Sequence, residues 1–246
     1  MKCVLLCGGF AKRMKSLAEN KPKALLPVAG KPVLQYILEK VELLDDVNKI
    51  FISTNKKFEG QFRNFLNIYR SEKKIILVVE PALSESEKLG SIGALRFLIE
   101  REKVDDDLFV INGDNLFEFS LERFMDFYKT KRSTLVGLYD VKTIEEAKKF
   151  GVVEIDENGR ITGFEEKPEN PKSTLASTGI YIYPKNVIKL ILEYLAEGNN
   201  PDATGYFLAW LYKKQPVYGL VFRERWFDIG SPEIYRKADR KFGKPE

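Results

Sequence analysis

Apolar residues along the chain fall into two textures, short unbroken runs and stretches in which they recur at helical spacing. The runs at 2–7, 48–53, 74–79 and 107–112 predict β-strands. Between them, 32–44, 58–70 and 90–102 predict helices. In the first of these Ile37, Leu38, Val41 and Leu44 share one face, and Pro32 suits a first helical turn. Unbroken apolar strands alternating with amphipathic helices predict a parallel sheet covered on both faces. Beyond about residue 130 the pattern becomes β-rich, with strands expected at 133–139, 151–156, 160–165, 176–183 and 216–222, and helices at 185–196 and 231–241. Asp156-Glu157-Asn158-Gly159 carries an Asn-Gly hairpin signal. The expected fold is one α/β domain over residues 1–246: a Rossmann-like, mixed but mainly parallel sheet, with helices on both faces and a β-rich later portion.

Composition then removes whole classes of chemistry. The chain has no histidine, which excludes Ser-His-Asp triads, Cys-His pairs, histidine zinc sites and imidazole acid–base catalysis. What remains is carboxylates, Lys, Arg, hydroxyls and backbone amides. Forty Lys and Arg against 36 Asp and Glu leave a net charge of +4, interspersed and too near balance for a nucleic-acid surface. Cys3 and Cys7 lie four apart in an expected strand, which sets their Cα atoms roughly 13 Å apart and out of disulfide reach. Buried thiols and a reducing, cytoplasmic setting are therefore expected. No apolar stretch approaches a membrane span, and no signal peptide is expected.

The first expected strand runs into Gly8-Gly9-Phe10-Ala11-Lys12-Arg13, and Lys21-Pro22-Lys23 follows. Paired glycines leaving a strand let backbone N–H groups approach an anion. The loop is neither a P-loop nor a dinucleotide fingerprint. The segment from Leu6 to Met14, with Lys21-Pro22-Lys23-Ala24-Leu25-Leu26-Pro27-Val28, resembles the signature of the sugar-1-phosphate nucleotidyltransferases. The family pattern is Gly-Gly-x-Gly-Thr-Arg-Leu, so Ala11 replaces a glycine and Lys12 a threonine. The resemblance implies that Cys7, Gly8 and Gly9 belong to the nucleotide site and that Arg13 and Lys23 meet the triphosphate.

Two acids match further motifs of that family. Asp114 follows the expected strand 107–112 in Asn112-Gly113-Asp114-Asn115, and strand ends of this kind bind ligands in parallel sheets. Asp228 lies in Trp226-Phe227-Asp228-Ile229-Gly230, ahead of Ser231, which itself suits a helix N-cap. The resemblance implies that Asp114 and Asp228 hold a Mg²⁺ ion, with Gly113 at the nucleotide. It places Gly151, Glu166, Lys167, Gly179 and Trp226 at the sugar phosphate. Members acting on glucose 1-phosphate usually carry an Arg in the region corresponding to 198–205, which has none here. On the base side, Glu80-Pro81 and Leu89-Gly90-Ser91-Ile92-Gly93 resemble the segment lying against the nucleobase. Either Glu80 or Glu85 stands where related enzymes often have Gln. A carboxylate only accepts hydrogen bonds, which favours guanine, whereas the 113–117 and 150–183 segments look closer to thymidylyltransferases.

The reaction implied is NTP plus sugar 1-phosphate giving NDP-sugar and pyrophosphate, on a glycosyltransferase-A-like nucleotidyltransferase fold, here the catalytic domain without a β-helix. Its partners would be NTP and sugar 1-phosphate, with no nucleic acid or membrane, and nothing in the sequence opposes a homo-oligomer. Two other readings stand beside it: a non-catalytic paralogue that senses sugar nucleotides, and a nucleotide-sugar glycosyltransferase. The latter class usually sets its acids as Asp-x-Asp, whereas the segment here reads Asp114-Asn115-Leu116.

Overall fold

A computed structural model describes residues 1–11, 14 and 20–243. In chain order the elements are β1 (Lys2–Leu6), β2 (Pro27–Val28), β3 (Lys31–Pro32), α1 (Val33–Glu42), β4 (Lys49–Asn55), α2 (Glu59–Ile68) and β5 (Lys74–Glu80). Next come α3 (Gly90–Glu102), β6 (Leu108–Asn112), β7 (Asn115–Phe117), α4 (Leu121–Lys131), β8 (Thr134–Asp140) and α5 (Ile144–Ala147). The rest comprises β9 (Gly151–Ile155), β10 (Ile161–Glu166), β11 (Leu175–Tyr183), α6 (Val187–Ala196), α7 (Thr204–Leu211), β12 (Val217–Phe222), β13 (Trp226–Asp228) and α8 (Pro232–Phe242). The architecture is the expected mixed, mainly parallel sheet with helices. The chain divides into two compact units, the first holding residues 1–88, 111–118 and 225–246, the second 89–110 and 119–224.

In the first unit β1, β4 and β5 pair in parallel, with Cys3 opposite Ile50 and Ile50 opposite Ile75. Their inner residues are apolar because both faces are covered: Cys3, Val4, Leu5, Ile50 and Ile52 are fully buried. Helix α1 buries Val33, Leu34, Ile37, Leu38 and Val41, the face its periodicity marks. Pro32 ends up one residue outside that helix, as its N-cap. Cys3 and Cys7 are free and buried, as their spacing required. Helix α8 is capped by Ser231, whose Oγ accepts from Ile234 N–H at 3.3 Å, the cap expected of it.

The second unit is the β-rich part. β8 pairs in parallel with β12 and antiparallel with β11, while β9 and β10 form the Asn-Gly hairpin. In that turn Asp156 Oδ1 accepts from the Asn158 and Arg160 amides, and Gly159 takes φ +77°. Helices α4 and α7 and the short strands β7 and β13 were not among the expected elements. Among the described residues no helix is long and apolar enough to cross a membrane.

Candidate active site

The first unit gathers most of the expected nucleotide residues at the carboxyl ends of its parallel strands, where such sheets take ligands. The chain leaves β1 at Cys7, whose N–H donates to Ser53 O at 2.7 Å. It leaves β6 at Gly113, whose N–H donates to Leu6 O at 2.8 Å. These two bonds lock the glycine loop beside the Asp114 turn. Gly113 is there for space: a Cβ would overlap Cys7 Sγ and stand 3.2 Å from Leu6 O. Burial, with the charges of Asp114 and Glu80 adding to it, pushes the Cys7 thiol far above its ordinary range. It is therefore a packed neutral group and no nucleophile.

Lys23 sits in a one-turn 3₁₀ helix, and its Nζ lies 2.7 Å from Asp114 Oδ2. The two side chains are 14% and 25% exposed, so the charges are half-withdrawn from water and matched to each other. Asp228 lies on the neighbouring strand. β13 runs antiparallel to β7 with Asp228 opposite Asn115, and Ile229 N–H donates to Asp114 O at 2.9 Å. The backbones bearing the two acids are thus tied side by side although 114 positions separate them in sequence. Trp226, expected at the sugar, turns inward and is buried, its Nε1–H donating to Asn115 Oδ1 at 2.6 Å. It braces the strands that carry the acids.

The donor chemistry of this pair suits Mg²⁺, a hard ion that takes one or two protein carboxylates and completes its shell with phosphate and water. Asp114 already holds a cation, the Lys23 ammonium, so the position supports positive charge. Among the described residues no group of three or more His, Cys, Asp or Glu side chains forms a metal cluster. Arg13 and Lys12 lie outside the described residues.

The two candidate base-reading acids separate clearly. Glu80 ends β5, is 3% exposed, and accepts from Ser53 Oγ at 2.8 Å. Its Oε1 lies 3.0 Å from where a Cβ on Gly8 would stand. Burial raises its pKa, the Ser53 hydrogen bond opposing. Glu85 is half-buried and pairs with Lys88 at 2.9 Å. Sequence reasoning missed Ser53 and Asn55, which carry the floor under the glycine loop. Asn55 is fully buried and its Nδ2 donates to Gly8 O at 2.9 Å.

The second unit holds Gly151, Glu166, Lys167 and Gly179 of the expected sugar residues, and Leu89 and Gly90 of the expected nucleotide residues. Glu166 ends β10, and its Oε2 occupies a slot between Gly151 and Gly205. A Cβ on Gly151 would stand 2.9 Å from that oxygen, and one on Gly205 would overlap it. Among the described residues no hydrogen bond reaches the Glu166 carboxyl. Burial raises its pKa, Lys167 lowering it and Asp202 raising it. Lys167 adopts φ +48° with its N–H on Phe150 O at 3.0 Å, which turns the chain sharply after β10. Gly179 takes φ +78° in β11, where the pairing with β8 shifts register between Ser177 and Tyr181. Gly90 opens α3 at φ +75°, where a Cβ would overlap Pro201 O. Leu89 precedes it, its Cβ standing 3.2 Å from where one on Gly93 would be. The first amides of α3 are already used, Ser91 and Ile92 donating to Asp202 O and Pro201 O at 2.9 Å each.

Comparison with known proteins identifies the family and the fold. Residues 2–244 match the family described as nucleotidyl transferase. The chain is similar to "Bifunctional protein GlmU" of Methanocaldococcus jannaschii, 35% identical over 241 residues, covering 98% of this chain and 54% of that one. It is also 28% identical over 242 residues to "Putative mannose-1-phosphate guanyltransferase" of Sulfolobus acidocaldarius, covering 97% and 62%. The chain thus spans little more than half the length of these relatives. Among solved structures it resembles a "Putative Glucose-1-Phosphate Thymidylyltransferase" of Bacillus anthracis in complex with a sucrose, with TM-score 0.83 and 25% identity, covering 100% and 96%. A match that runs through the glycine loop, both acids and the Glu166 slot identifies the chain as a member of the nucleotidyl transferase family.

Proposed function

We propose that this chain transfers a nucleotidyl group from an NTP to a sugar 1-phosphate, releasing pyrophosphate. The observation that carries the reading is the Lys23–Asp114 ion pair at 2.7 Å, set beside a glycine loop at the carboxyl ends of parallel strands. Lys23 and the loop amides bind the triphosphate and hold the α-phosphorus in line with the sugar phosphate oxygen. Asp114 and Asp228 are the residues that would hold Mg²⁺, which when bound neutralises phosphate charge. Glu166 accepts hydrogen bonds from sugar hydroxyls, replacing the partners its slot does not give it. A general base has no part to play. The attacking phosphate, with a second pKa of about 6 by analogy with phosphorylated side chains, is already ionised near neutrality. A chain without histidine loses nothing by that.

The test is Mg²⁺-dependent pyrophosphate release, measured across ATP, GTP, CTP, UTP and dTTP against common hexose 1-phosphates. Silence in every combination refutes the reading, and turnover of an NDP-sugar with an acceptor would replace it by glycosyl transfer. The same matrix decides the base. Ionised Glu80 matches the two adjacent donors of guanine, whereas protonated Glu80 offers a donor beside an acceptor, as an amide does, and suits uracil or thymine.

A further inference from the structure

Asn55 lies outside every motif that marks the site, yet it fixes the orientation of the peptide at the centre of the glycine loop. Its side chain is fully buried. Oδ1 accepts from the Phe58 backbone N–H at 3.1 Å, capping the 3₁₀ turn that follows β4. Because that oxygen faces an N–H, the other end of the amide must be Nδ2, and it donates to Gly8 O at 2.9 Å. Neither end of the amide can be exchanged without setting two donors or two acceptors against each other.

The consequence follows from peptide geometry. In a trans peptide the carbonyl of one residue and the N–H of the next point to opposite sides of the chain. The Gly8–Gly9 bond is trans. With Gly8 O drawn inward to Asn55, the Gly9 N–H is directed outward. Gly9 is exposed, and nothing lies within 4 Å of where its Cβ would stand. Without the brace, two glycines in succession leave this peptide free to rotate.

We infer that Asn55 is a positioning residue that holds the Gly9 N–H toward the phosphates of the bound nucleotide; this rests on the nucleotidyl-transfer reading above. Removing it makes the loop pay the orientation cost at each binding event, which weakens phosphate binding without touching the sugar side.

The test uses the full chain and inorganic pyrophosphate. Asn55→Ser keeps a capping oxygen for Phe58 N–H but is too short to reach Gly8 O. Asn55→Asp serves as a second variant of unchanged shape should the first fold poorly. With ¹⁵N-glycine labelling, and the Gly9 amide signal assigned by its loss in Gly9→Ala, pyrophosphate is titrated into wild type and Asn55→Ser. The expected result is a Gly9 amide shift in wild type that is lost or reduced in the variant, with Kd for pyrophosphate raised about tenfold, or 1.4 kcal/mol, and sugar 1-phosphate KM unchanged. Wild-type affinity in the variant, or a wild-type Gly9 signal that ignores bound pyrophosphate, overturns the inference. A wild-type protein that binds neither pyrophosphate nor any NTP brings down the functional reading, and the inference with it.

Discussion

Gly205→Ala separates the sugar-binding role of Glu166 from the stability of the fold, because the first should fall sharply while the second barely moves. A methyl at 205 would overlap Glu166 Oε2, stand 2.7 Å from its Cδ and lie 3.3 Å from Phe164 Cε1. The Glu166 carboxylate has to give way, since no side-chain oxygen tolerates a methyl so close. It must swing out along its own χ angles. An off-rotamer displacement of that kind costs roughly 0.5–1.5 kcal/mol. Against it, Gly205 is the second residue of α7, and Ala in a helix is favoured over Gly by about 0.5–1 kcal/mol. Net stability should then change by less than about 1 kcal/mol, a Tm shift of no more than about 4 °C for a chain of this size. Function has no such offset. Each hydrogen bond to a charged group contributes roughly 1.5–3 kcal/mol, so displacing the acceptor should raise KM for sugar 1-phosphate by about 10- to 100-fold. KM for NTP should stay near wild type. The assay is steady-state pyrophosphate release with each substrate varied in turn, alongside a thermal melt. Unchanged sugar-phosphate KM would refute the role given to Glu166, and a fall in Tm well beyond that range would refute the packing argument.

Three further outcomes are expected. Asp114→Asn leaves the fold intact but takes Mg²⁺-dependent turnover below about a tenth of wild type; a rate near wild type removes Asp114 from the metal site. Gly113→Ala forces a methyl onto Cys7 Sγ, an overpacking worth roughly 1–3 kcal/mol that also displaces Asp114. Cys7→Ala in the same chain should restore much of the lost stability and activity, and strict additivity in that double-mutant cycle would count against the contact. Glu80→Gln should stabilise the protein at pH 8. Burial raises the Glu80 pKa, so its ionised form opposes folding, and that penalty is present above the folded pKa and vanishes once the acid is protonated in both states. Urea melts at pH 8 and pH 4 should therefore show a gain that shrinks on acidification, and a gain that grows would reverse the assignment.

What could be read in the sequence follows the range of the interactions concerned. Strands such as β1 and β4 and the helix α1 declare themselves because burial on both faces, or on one helical face, writes a local pattern. The Asn-Gly turn was legible for the same reason, since its geometry depends on four adjacent residues. Helix α4 carries a signal at helical spacing: Leu121, Phe124, Met125 and Tyr128 are its buried face, and Ser120 caps it. Helix α7 does not, because Tyr206, Phe207, Leu208, Trp210 and Leu211 leave no polar stripe to set a period. Strands β7 and β13 are three residues each, and their pairing joins Asn115 to Asp228. Ser53, Asn55 and Trp226 take their roles from partners 27, 47 and 111 positions away. A motif marks the residues that touch ligand; the residues that aim them are set by the fold.

The acids of the candidate site make that division physical. Asp114 is matched by an ammonium at 2.7 Å. A carboxylate so placed exchanges one cation for another at little cost, which is what binding a metal with a polyphosphate requires. Among the described residues no ammonium stands so close to Glu80 or Glu166. Both are raised by burial, Glu80 holding one hydroxyl and Glu166 lying in a glycine-walled slot. Left alone they are penalised, and hydrogen-bond donors relieve the penalty. A nucleobase N–H and a sugar O–H are donors of that kind. On the proposed reading the same side-chain chemistry serves charge handling in one environment and recognition in two others, and a chain without histidine needs no fourth role from its acids.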